Sequence, residues 1–475
     1  MDLPTPQHLA LPGDKIREIT GFGMSFRADS YVFQPTTLDE VREVFALARQ
    51  VGRNIVLRGA GRSYGDAAID AESIALDFTQ MKRFLSWDPE TGIAECEPGV
   101  TIEDLWRTGL PHGWWPKVVS GTMFPTLGGA LAMNIHGKNN FRMGTLGDNV
   151  LEIDLMTVDG KVRTLTPDQE LFYAAISSAG LLGVITRVKL GMKKVHSGDL
   201  KVYAESLPNW DAQIEAFEKR AENADYMVSW VDCFGSGAGA GRGLFHAAWH
   251  LPDEDSESLL PFHQDLPEKI AKVVPKSQVW RILKPLNNRF GMKWLNAAKH
   301  LSGKFVGNRK MHTQSLVAFS FLLDYVPNWR NAYLPDGFIQ YQTFVPKEAA
   351  KRVFAKQIEM TQEAKMEPFL GVLKKHKPDR FLLSHSLDGY SFALDFKVSE
   401  ETWPRLQRLC QRMNEMVIES GGRFYLAKDG TLTPEHAQAY LGENLTTLQL
   451  LKKELDPEGL LTSGQARRLK LFESA

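Results

Sequence analysis

The stretch Arg58-Gly-Ala-Gly-Arg-Ser-Tyr-Gly-Asp66 is a glycine-rich loop that directly follows an apolar run, Asn54 to Leu57. That run is typical of a short buried strand, so the loop begins where the strand ends. Three glycines within seven residues allow successive backbone N–H groups to turn inward, because no Cβ obstructs them. Arg58 and Arg62 add positive charge beside these groups. The stretch is therefore predicted to be a backbone nest for a phosphate group.

Other structures for this loop fit its residues less well. Residues 61–65 match the G-x-S-x-G pattern of α/β-hydrolases with Ser63 as nucleophile, but that pattern requires an apolar-faced helix immediately afterwards. Asp66 to Glu72 contain one large apolar residue, Ile69. The glycine spacing also differs from the G-x-G-x-x-G of Rossmann folds. A tight β-turn remains an alternative, although two arginines beside three glycines favour the nest.

A second glycine-rich stretch, Ser120 to Ala130, lies about sixty residues later and leads into Met133-Asn-Ile-His-Gly-Lys-Asn139. Two such loops suit a long dinucleotide held along its length better than a single phosphate. A lone histidine such as His136 is more often structural than catalytic. No second histidine lies nearby at metal-ligand spacing, and no metal site is predicted.

The composition is that of an enzyme-sized globular protein. Its 475 residues suggest two or three domains, and 56 Lys+Arg against 57 Asp+Glu disfavour a nucleic-acid binder. Cys96, Cys233 and Cys410 are isolated, which fits a reducing compartment. The N-terminus lacks the pattern of a signal peptide, and no stretch approaches about 18 uninterrupted apolar residues. We expect a cytoplasmic protein or one peripheral to the inner membrane.

Periodicity and capping signals predict mixed α and β structure. Thr37 with Glu40 starts a helix that ends at Gly52, and Asn209 caps a helix that begins at Trp210. Further helices are predicted after Thr101, after Thr166 and at residues 400–420, where Cys410 lies on the apolar face. Strands are predicted at residues 54–57, 73–78, 93–97, 151–158, 161–165, 184–190, 227–231, 316–323, 337–344 and 390–396.

The charge is unevenly distributed along the chain. Residues 269–323 contain eleven Lys+Arg and no Asp or Glu, so the remainder is acidic. Within this segment apolar residues recur at helical steps from Val279 to Trp294 with basic residues between them, and Pro285 must kink or start the helix. Such a pattern is typical of an interfacial helix on anionic lipid. The alternative is a solvated, mobile insert whose charge balances the acidic remainder.

Four runs together resemble the decaprenylphosphoryl-β-D-ribose 2-oxidase family, which belongs to the FAD-linked oxidases of the vanillyl-alcohol oxidase (PCMH) type. They are residues 58–66, 128–139, 154–165 and 425–429, and the similarity extends to residues 229–232, 340–342 and 455–469. The resemblance implies an α+β, two-domain flavoprotein. Its FAD-binding domain would comprise residues 1–195 and a C-terminal segment, 411–475. An antiparallel-sheet substrate domain would span residues 196–410, with a flexible basic insert at about 269–323.

The resemblance also implies the cofactor and the residues that bind it. FAD is expected to be noncovalent, because Arg62 stands where members with covalent flavin often carry histidine. The residues implied for FAD binding are Arg58, Gly59, Ala60, Gly61, Arg62, Ser63, Gly65, Gly121, Thr126, Gly128, Gly129, Met133, Asn134, His136, Val184 and Tyr425. Lys428 corresponds to the lysine near flavin N1, where a fixed ammonium stabilises the negative charge that hydride transfer produces.

The implied reaction oxidises the 2-hydroxyl of a polyprenyl-phosphate-linked ribofuranose to a ketone. A short-chain-type reductase partner would complete epimerisation to arabinose for arabinan or cell-envelope biosynthesis. Tyr64, His136, Lys138 and Lys428 are the implied catalytic residues, and Ser229, Gln342, Lys374 and Ser391 are the implied substrate ligands. A substrate whose tail stays in the membrane favours the interfacial helix, so an anionic membrane surface is an expected partner.

Some residues depart from the family pattern. Mycobacterial members have asparagine and cysteine where Ser391 and Ala393 stand, and the family's aromatic position near Lys374 is His376. These changes leave the implied flavin residues untouched but leave the sugar and lipid specificity open. A soluble sugar, alditol or aldonolactone oxidase on the same fold is the alternative function. A flavin-binding membrane protein without turnover is a third hypothesis.

Overall fold

The N-terminal part of the chain forms a four-stranded sheet with one helix. The computed structural model describes residues 11–270, 274–305 and 308–472. The elements of this part are β1 (Ile16–Thr20), β2 (Arg27–Phe33), α1 (Leu38–Val51), β3 (Ile55–Arg58) and β4 (Ile74–Asp77), in the strand order β1-β2-β4-β3. Thr37 accepts a hydrogen bond from the backbone N–H of Glu40, and Gly52 ends α1 at a φ of 64°, which confirms the predicted helix.

A five-stranded sheet in the order β5-β6-β10-β8-β9 follows, and β7 pairs separately with β11. Thr101 and Asp104 form the predicted capping box at the start of the helix at 102–109, and the turn at Asp159-Gly160 joins two strands as predicted. The elements are β5 (Phe84–Asp88), β6 (Ile93–Cys96), α2 (Ile102–Gly109), β7 (Trp114–Trp115), α3 (Leu127–Ala132), α4 (Asn140–Met143), β8 (Val150–Met156), β9 (Val162–Leu165), α5 (Glu170–Ala175), β10 (Val184–Gly191) and β11 (Lys193–Lys194).

The largest sheet has eight strands in the order β17-β12-β14-β13-β19-β20-β18-β21. Its elements and those that connect them are β12 (Asp199–Leu207), α6 (Trp210–Arg220), β13 (Tyr226–Val231), β14 (Gly243–His250), α7 (Pro261–Gln264), β15 (Lys269–Ile270), β16 (Val274–Pro275), α8 (Val279–Leu286), α9 (Arg289–Phe305), β17 (Lys310–Ser315), α10 (Leu316–Ser320), β18 (Phe338–Pro346), α11 (Lys347–Glu363), β19 (Leu370–His376), β20 (Gly389–Lys397), α12 (Trp403–Glu419) and β21 (Arg423–Phe424). The strands of this sheet pair antiparallel throughout its described residues.

The two faces of this sheet have different surroundings, because successive side chains of a strand point to opposite faces. On one face Phe245, Leu373 and Phe392 belong to the largest hydrophobic cluster. That cluster also contains buried residues of α6, α11 and α12, such as Phe217 and Phe354. The other face looks into the cavity described below.

Helices α8 and α9 form half of the described part of the basic segment. Pro285 lies one residue before the end of α8, and α9 begins at Arg289, so the predicted kinked stretch is two helices. Arg289 pairs with the buried Glu367, and Arg309, just beyond α9, pairs with Glu205. The segment therefore draws its carboxylate partners from the acidic remainder of the chain.

The C-terminal residues form α13 (Pro434–Leu441), α14 (Glu443–Leu455) and α15 (Gly464–Arg468) and return to the N-terminal sheet. Leu461 forms a bridge with Ile55 of β3. Arg468 pairs with Asp66 and Asp429. These contacts hold the end of the chain against the loop that follows β3.

Two sequence predictions of local structure are wrong. Residues 316–323 were expected to form a strand, but Leu316 begins the helix α10, whose N-terminus is capped by the Ser315 hydroxyl. A short apolar run does not by itself distinguish a buried strand from a buried helix. The helix expected after Thr166 begins only at Glu170, since residues 167–169 form a turn first.

Candidate functional site

A cavity of about 580 Å³ lies between the glycine-rich loops and the inner face of the eight-stranded sheet. Eight glycines line it: Gly59, Gly61, Gly121, Gly128, Gly129, Gly137, Gly180 and Gly183. Six cationic side chains also line it: Arg58, Arg62, Lys138, Lys299, Lys374 and Lys428. No Asp or Glu of the described ranges does. The cavity therefore suits a ligand that is long and negatively charged.

The loop after β3 forms one end of the cavity through residues 57–63. Gly61 has a φ of +63°, and a Cβ there would lie 2.3 Å from the Arg58 guanidinium. Arg58 donates to the carbonyls of Ala68 (3.0 Å) and Thr20 (2.9 Å). The Arg58 side chain thus supports the loop from within the protein. After Gly65 the chain continues in turns to β4, so the helix required by a hydrolase nucleophile elbow is absent from this described stretch.

Arg62 lies between two aromatic rings, with its guanidinium carbon 4.9 Å from the Phe124 centroid and 5.4 Å from the Phe22 centroid. Its Nε is buried and has no hydrogen-bond partner within the described chain. A buried donor of this kind is costly unless a partner arrives. Arg62 is therefore a candidate ligand for an anionic group in the cavity.

The second glycine-rich loop packs directly on the first. A Cβ on Gly59 would lie 2.1 Å from Thr126 Oγ1, so the two loops approach closely only because residue 59 is glycine. Thr126 Oγ1 is buried and has no partner in the described residues. Met133, Val184 and Tyr425 also line the cavity, as predicted for cofactor-binding residues.

Three of the residues predicted for the site lie behind the cavity wall. Asn134 is fully buried and accepts a hydrogen bond from Gly147 N. Gly65 packs against the Asp429 carbonyl, which a Cβ would approach to 1.9 Å. Tyr64 is 2% exposed, and its ring faces the ammonium of Lys428 at 3.6 Å. These residues support the wall and do not line it.

Lys428 enters the cavity from the turn that follows β21. Burial lowers the pKa of Lys428 to about 7, an effect that the nearby Asp395 opposes. Burial also raises the pKa of Asp395 to about 6, and Gln340 donates to this carboxyl at 2.6 Å. A ligand in the cavity can therefore shift the fraction of Lys428 that is protonated.

A cluster of three buried histidines lies beside Lys428. His136 Nδ1 is 3.0 Å from His385 Nε2, and Gln342 Nε2 is 3.0 Å from His136 Nε2. Burial, with nearby cations, lowers the pKa of His136, His376 and His385. All three rings are thus neutral near pH 7, and His136 has a second imidazole with which to exchange a proton. Sequence reasoning missed His385, which carries no motif.

The predicted substrate ligands differ in whether their side chains reach the cavity beside this cluster. Gln342 and Lys374 line the cavity, as does Ala393. Ser391 does not line it and instead bonds His376 Nε2 at 2.7 Å. Ser229 borders the cavity, but it pairs with Phe245 and Leu373, so its side chain points to the helix-covered face.

Backbone carbonyls at the C-terminal end of α10 hold the Lys138 side chain at the cavity wall. Its Nζ donates to the carbonyls of Phe319 and Ser320, the latter at 2.8 Å. Burial, and secondarily Lys374, lowers the pKa of Lys138. Further along the same wall are Trp230, His246 and Lys299, which sequence reasoning did not propose. The only signal for Lys299 was its position in the acid-free segment.

The geometry fits a dinucleotide with a redox-active ring. Two close-packed glycine loops, the unpaired Arg62 Nε and the unpaired Thr126 Oγ1 occupy one end of the cavity. The Lys428 ammonium and the neutral His136 also line the cavity. FAD would meet hydrogen-bond donors at its pyrophosphate and a cation near its ring. No helix among residues 11–270, 274–305 and 308–472 has the length and hydropathy to cross a bilayer.

Comparisons with known proteins agree with this geometry. Residues 30–166 match the model of a family described as FAD binding domain. The decaprenylphosphoryl-β-D-ribose oxidase of Mycolicibacterium smegmatis is 31% identical over 91% of this chain and 92% of its own length. A putative D-arabinono-1,4-lactone oxidase of Neurospora crassa is 21% identical over 92% of this chain and 83% of its own. L-gulonolactone oxidase of Bos taurus is 32% identical over 33% of this chain and 36% of its own.

Proposed function

The chain belongs to the decaprenylphosphoryl-β-D-ribose oxidase family of FAD-dependent oxidoreductases, and from this premise we propose that it oxidises the 2-hydroxyl of a polyprenyl-phosphate-linked ribofuranose to a ketone. The family resemblance found in the sequence is thereby confirmed. The observation that carries the proposal is the cavity, whose glycine-rich end suits FAD and whose other end has lysines but no described carboxylate. The product would be the 2-keto intermediate of a ribose-to-arabinose epimerisation.

The protein's own groups would orient the sugar and move its hydroxyl proton. When bound, FAD supplies the acceptor for the hydride that leaves the C2 carbon. Gln342 holds the His136 ring through Nε2 until the substrate hydroxyl takes the place of its amide. Neutral His136 can then take the hydroxyl proton at Nε2 and pass its Nδ1 proton to His385, 3.0 Å away. Lys138 lines the same cavity with its ammonium fixed by two backbone carbonyls. Lys428 would stabilise the negative charge that hydride transfer creates.

We propose that the cofactor is noncovalent and that the two-domain division of the family applies. Arg62 stands in the loop where covalent members often have histidine. The contacts of Leu461 with Ile55 and of Arg468 with Asp66 support a FAD-binding domain of residues 1–195 joined by 411–475. The eight-stranded sheet supports a substrate domain within residues 196–410. Acid precipitation should release all flavin into the supernatant.

Two partners are also proposed. A short-chain-type reductase would reduce the ketone from the opposite face and so complete the epimerisation. An anionic membrane surface would hold the polyprenyl tail, and α9 supports this partner because Phe290, Trp294, Leu301 and Phe305 are each more than half exposed on it. Basic groups on α8 and α9 accompany this apolar stripe.

The decisive test is anaerobic reduction of the bound FAD by a prenyl-phosphoryl ribose with a short, soluble prenyl chain. We expect loss of the oxidised flavin absorbance with this substrate and not with free ribose at the same concentration. Reduction by free sugars, alditols or aldonolactones, with no response to the prenyl-phosphoryl ribose, would establish the alternative oxidase. The lactone-oxidase names among the relatives keep that alternative in the test.

A further inference from the structure

Helix α9 of the basic segment reaches the cavity through Lys299. A Cβ at Gly303 would lie 2.2 Å from a Leu244 side-chain carbon, so glycine allows α9 to rest directly on β14. Lys299 lies one helical turn before Gly303 and on the same side of α9. Trp230 is the cross-strand partner of Leu244, and Lys299 Nζ lies 4.4 Å from the Trp230 ring centroid. The contact at Gly303 thus aims Lys299 into the cavity.

Lys299 and Lys374 lack the carboxylate partners that other lysines of this fold have. No Asp or Glu oxygen of the described residues lies within 4.0 Å of either ammonium. The neighbouring Lys375, on the opposite face of β19, pairs with Glu218, and the buried Lys452 pairs with Asp456. Lys138 and Lys428 also line the cavity, but Lys138 already donates to two backbone carbonyls and Lys428 faces the Tyr64 ring.

Burial lowers the pKa of the basic side chains in this part of the cavity. Lys299 is an exposed residue that lines the cavity, and burial of its ammonium lowers the pKa of that group to about 8. Burial likewise lowers the pKa of Lys374 to about 8. Burial, followed by the nearby Lys299, lowers the pKa of His246 to about 4. A bound anion would oppose this effect of burial, since it favours the charged form of each lysine.

We propose that Lys299 and Lys374, with Trp230 packed beside Lys299, form a phosphate-ester site on the side of the cavity lined by the eight-stranded sheet. This inference deepens the proposed function, on which it rests, by assigning the substrate's phosphate to residues of α9 and β19. The opposite side of α9 carries the exposed Phe290, Trp294, Leu301 and Phe305. One helix therefore binds the phosphate on its inner side and offers an apolar outer side along which a prenyl chain can leave.

The test compares Lys299→Met with Lys293→Met in the FAD-loaded protein. Methionine keeps the side-chain length and the packing on Trp230 but removes the charge, and Lys293 is an exposed lysine of the same helix. The probe is farnesyl phosphate, which lacks the sugar, measured by titration calorimetry. Loss of one charged hydrogen bond predicts binding about 10- to 100-fold weaker in Lys299→Met and unchanged in Lys293→Met. Inorganic phosphate, titrated in parallel, separates phosphate recognition from contacts with the prenyl chain.

The outcomes separate this inference from the proposed function. Equal farnesyl phosphate affinity in Lys299→Met and wild type, or no binding to wild type, overturns the site even if prenyl-phosphoryl ribose reduces the flavin. Lys299-dependent binding without flavin reduction supports the site and rejects the proposed reaction. Where both hold, Lys299→Met should raise KM for prenyl-phosphoryl ribose and leave kcat within a few-fold. Intact flavin absorbance and an unchanged unfolding midpoint show that the variant is folded.

Discussion

The two faces of the eight-stranded sheet are built from the same strands but have different roles. One packs against helices in the hydrophobic cluster, and the other lines the cavity. Lys375 points to the helix-covered face and pairs with Glu218, whereas Lys374, one residue before it, lines the cavity without a carboxylate. Phe392 lies in the hydrophobic cluster, and its neighbour Ala393 lines the cavity. The period of two in a strand thus lets one sequence hold the domain together and also carry uncompensated charge. Stability and ligand binding can be altered separately on the two faces.

Phe392→Ala should have the largest effect, and on stability. Phe392 is fully buried between Trp210 and Phe354, at centroid distances of 5.4 and 5.3 Å, so truncation removes contacts and leaves a cavity. We expect the free energy of unfolding in urea to fall by about 3–5 kcal/mol. Leu450→Ala, at a residue 67% exposed, is the matched control and should change it by less than about 0.5 kcal/mol. A loss below about 1 kcal/mol for Phe392→Ala would contradict the structural role of this face.

Lys428→Met tests the cavity side of the sheet, where activity should fall and stability should not. Removing a preorganised charge should slow flavin reduction by prenyl-phosphoryl ribose about 100- to 1000-fold in anaerobic stopped-flow measurements. Stability should not fall, because an ammonium whose pKa burial lowers to about 7 no longer has to be buried. Lys453→Met, on the exposed side of α14, should leave both quantities unchanged. A variant that unfolds more easily but reduces flavin at the normal rate would assign Lys428 to structure alone.

The buried histidines of the cavity should make the FAD-free protein sensitive to acid. Burial lowers the pKa of His246 to about 4 and of His385 to about 3, and it also lowers the pKa of His136 and His376. Between these values and about 6.5 the unfolded chain binds more protons, so stability rises with pH across that window. At pH 5 a histidine with the pKa of His246 or His385 costs about 2 kcal/mol of stability relative to pH 7.

His376→Phe isolates one of these contributions. The variant should lose part of the difference in unfolding free energy between pH 5 and pH 7, as measured by urea titration at both values. His112→Phe is the comparison, because His112 lies at the protein surface. An undiminished pH dependence in His376→Phe would show that this ring is charged in the folded protein or accessible to water.

The smallest expected effect concerns the binding of α8 and α9 to anionic lipid. Charge reversal at Lys284 and Lys293 should weaken binding to vesicles that contain anionic lipid by about 1 kcal/mol for each charge removed, and added salt should weaken wild-type binding in the same way. Arg289 is left unchanged because its pairing with buried Glu367 anchors the helix. Reversal at Lys453 and Lys470, away from this segment, is the control. Equal vesicle binding by all variants would leave the exposed apolar stripe without a lipid partner.

Local features of the FAD side could be predicted from the sequence. The loop at residues 58–66, the helix between Thr37 and Gly52 and the hairpin at Asp159-Gly160 depend on neighbouring residues and on backbone freedom, which a linear pattern displays. Residues 316–323 were mispredicted because their apolar run fits a strand and a helix equally, and the Ser315 cap decided between them. The family followed from the same local motifs.

The sequence by itself determined the glycine loops, the family they belong to and the presence of a basic segment without carboxylates. Only the tertiary structure decided that Lys299 of that segment lies in the same cavity as Lys374, and that His385 lies 3.0 Å from His136. These residues are far apart in the chain, and strand register together with the α9 contact at Gly303 brings them together. The charge and the backbone freedom of a residue can be read from the sequence. Whether a carboxylate lies near a given lysine depends on which residues the fold places around it.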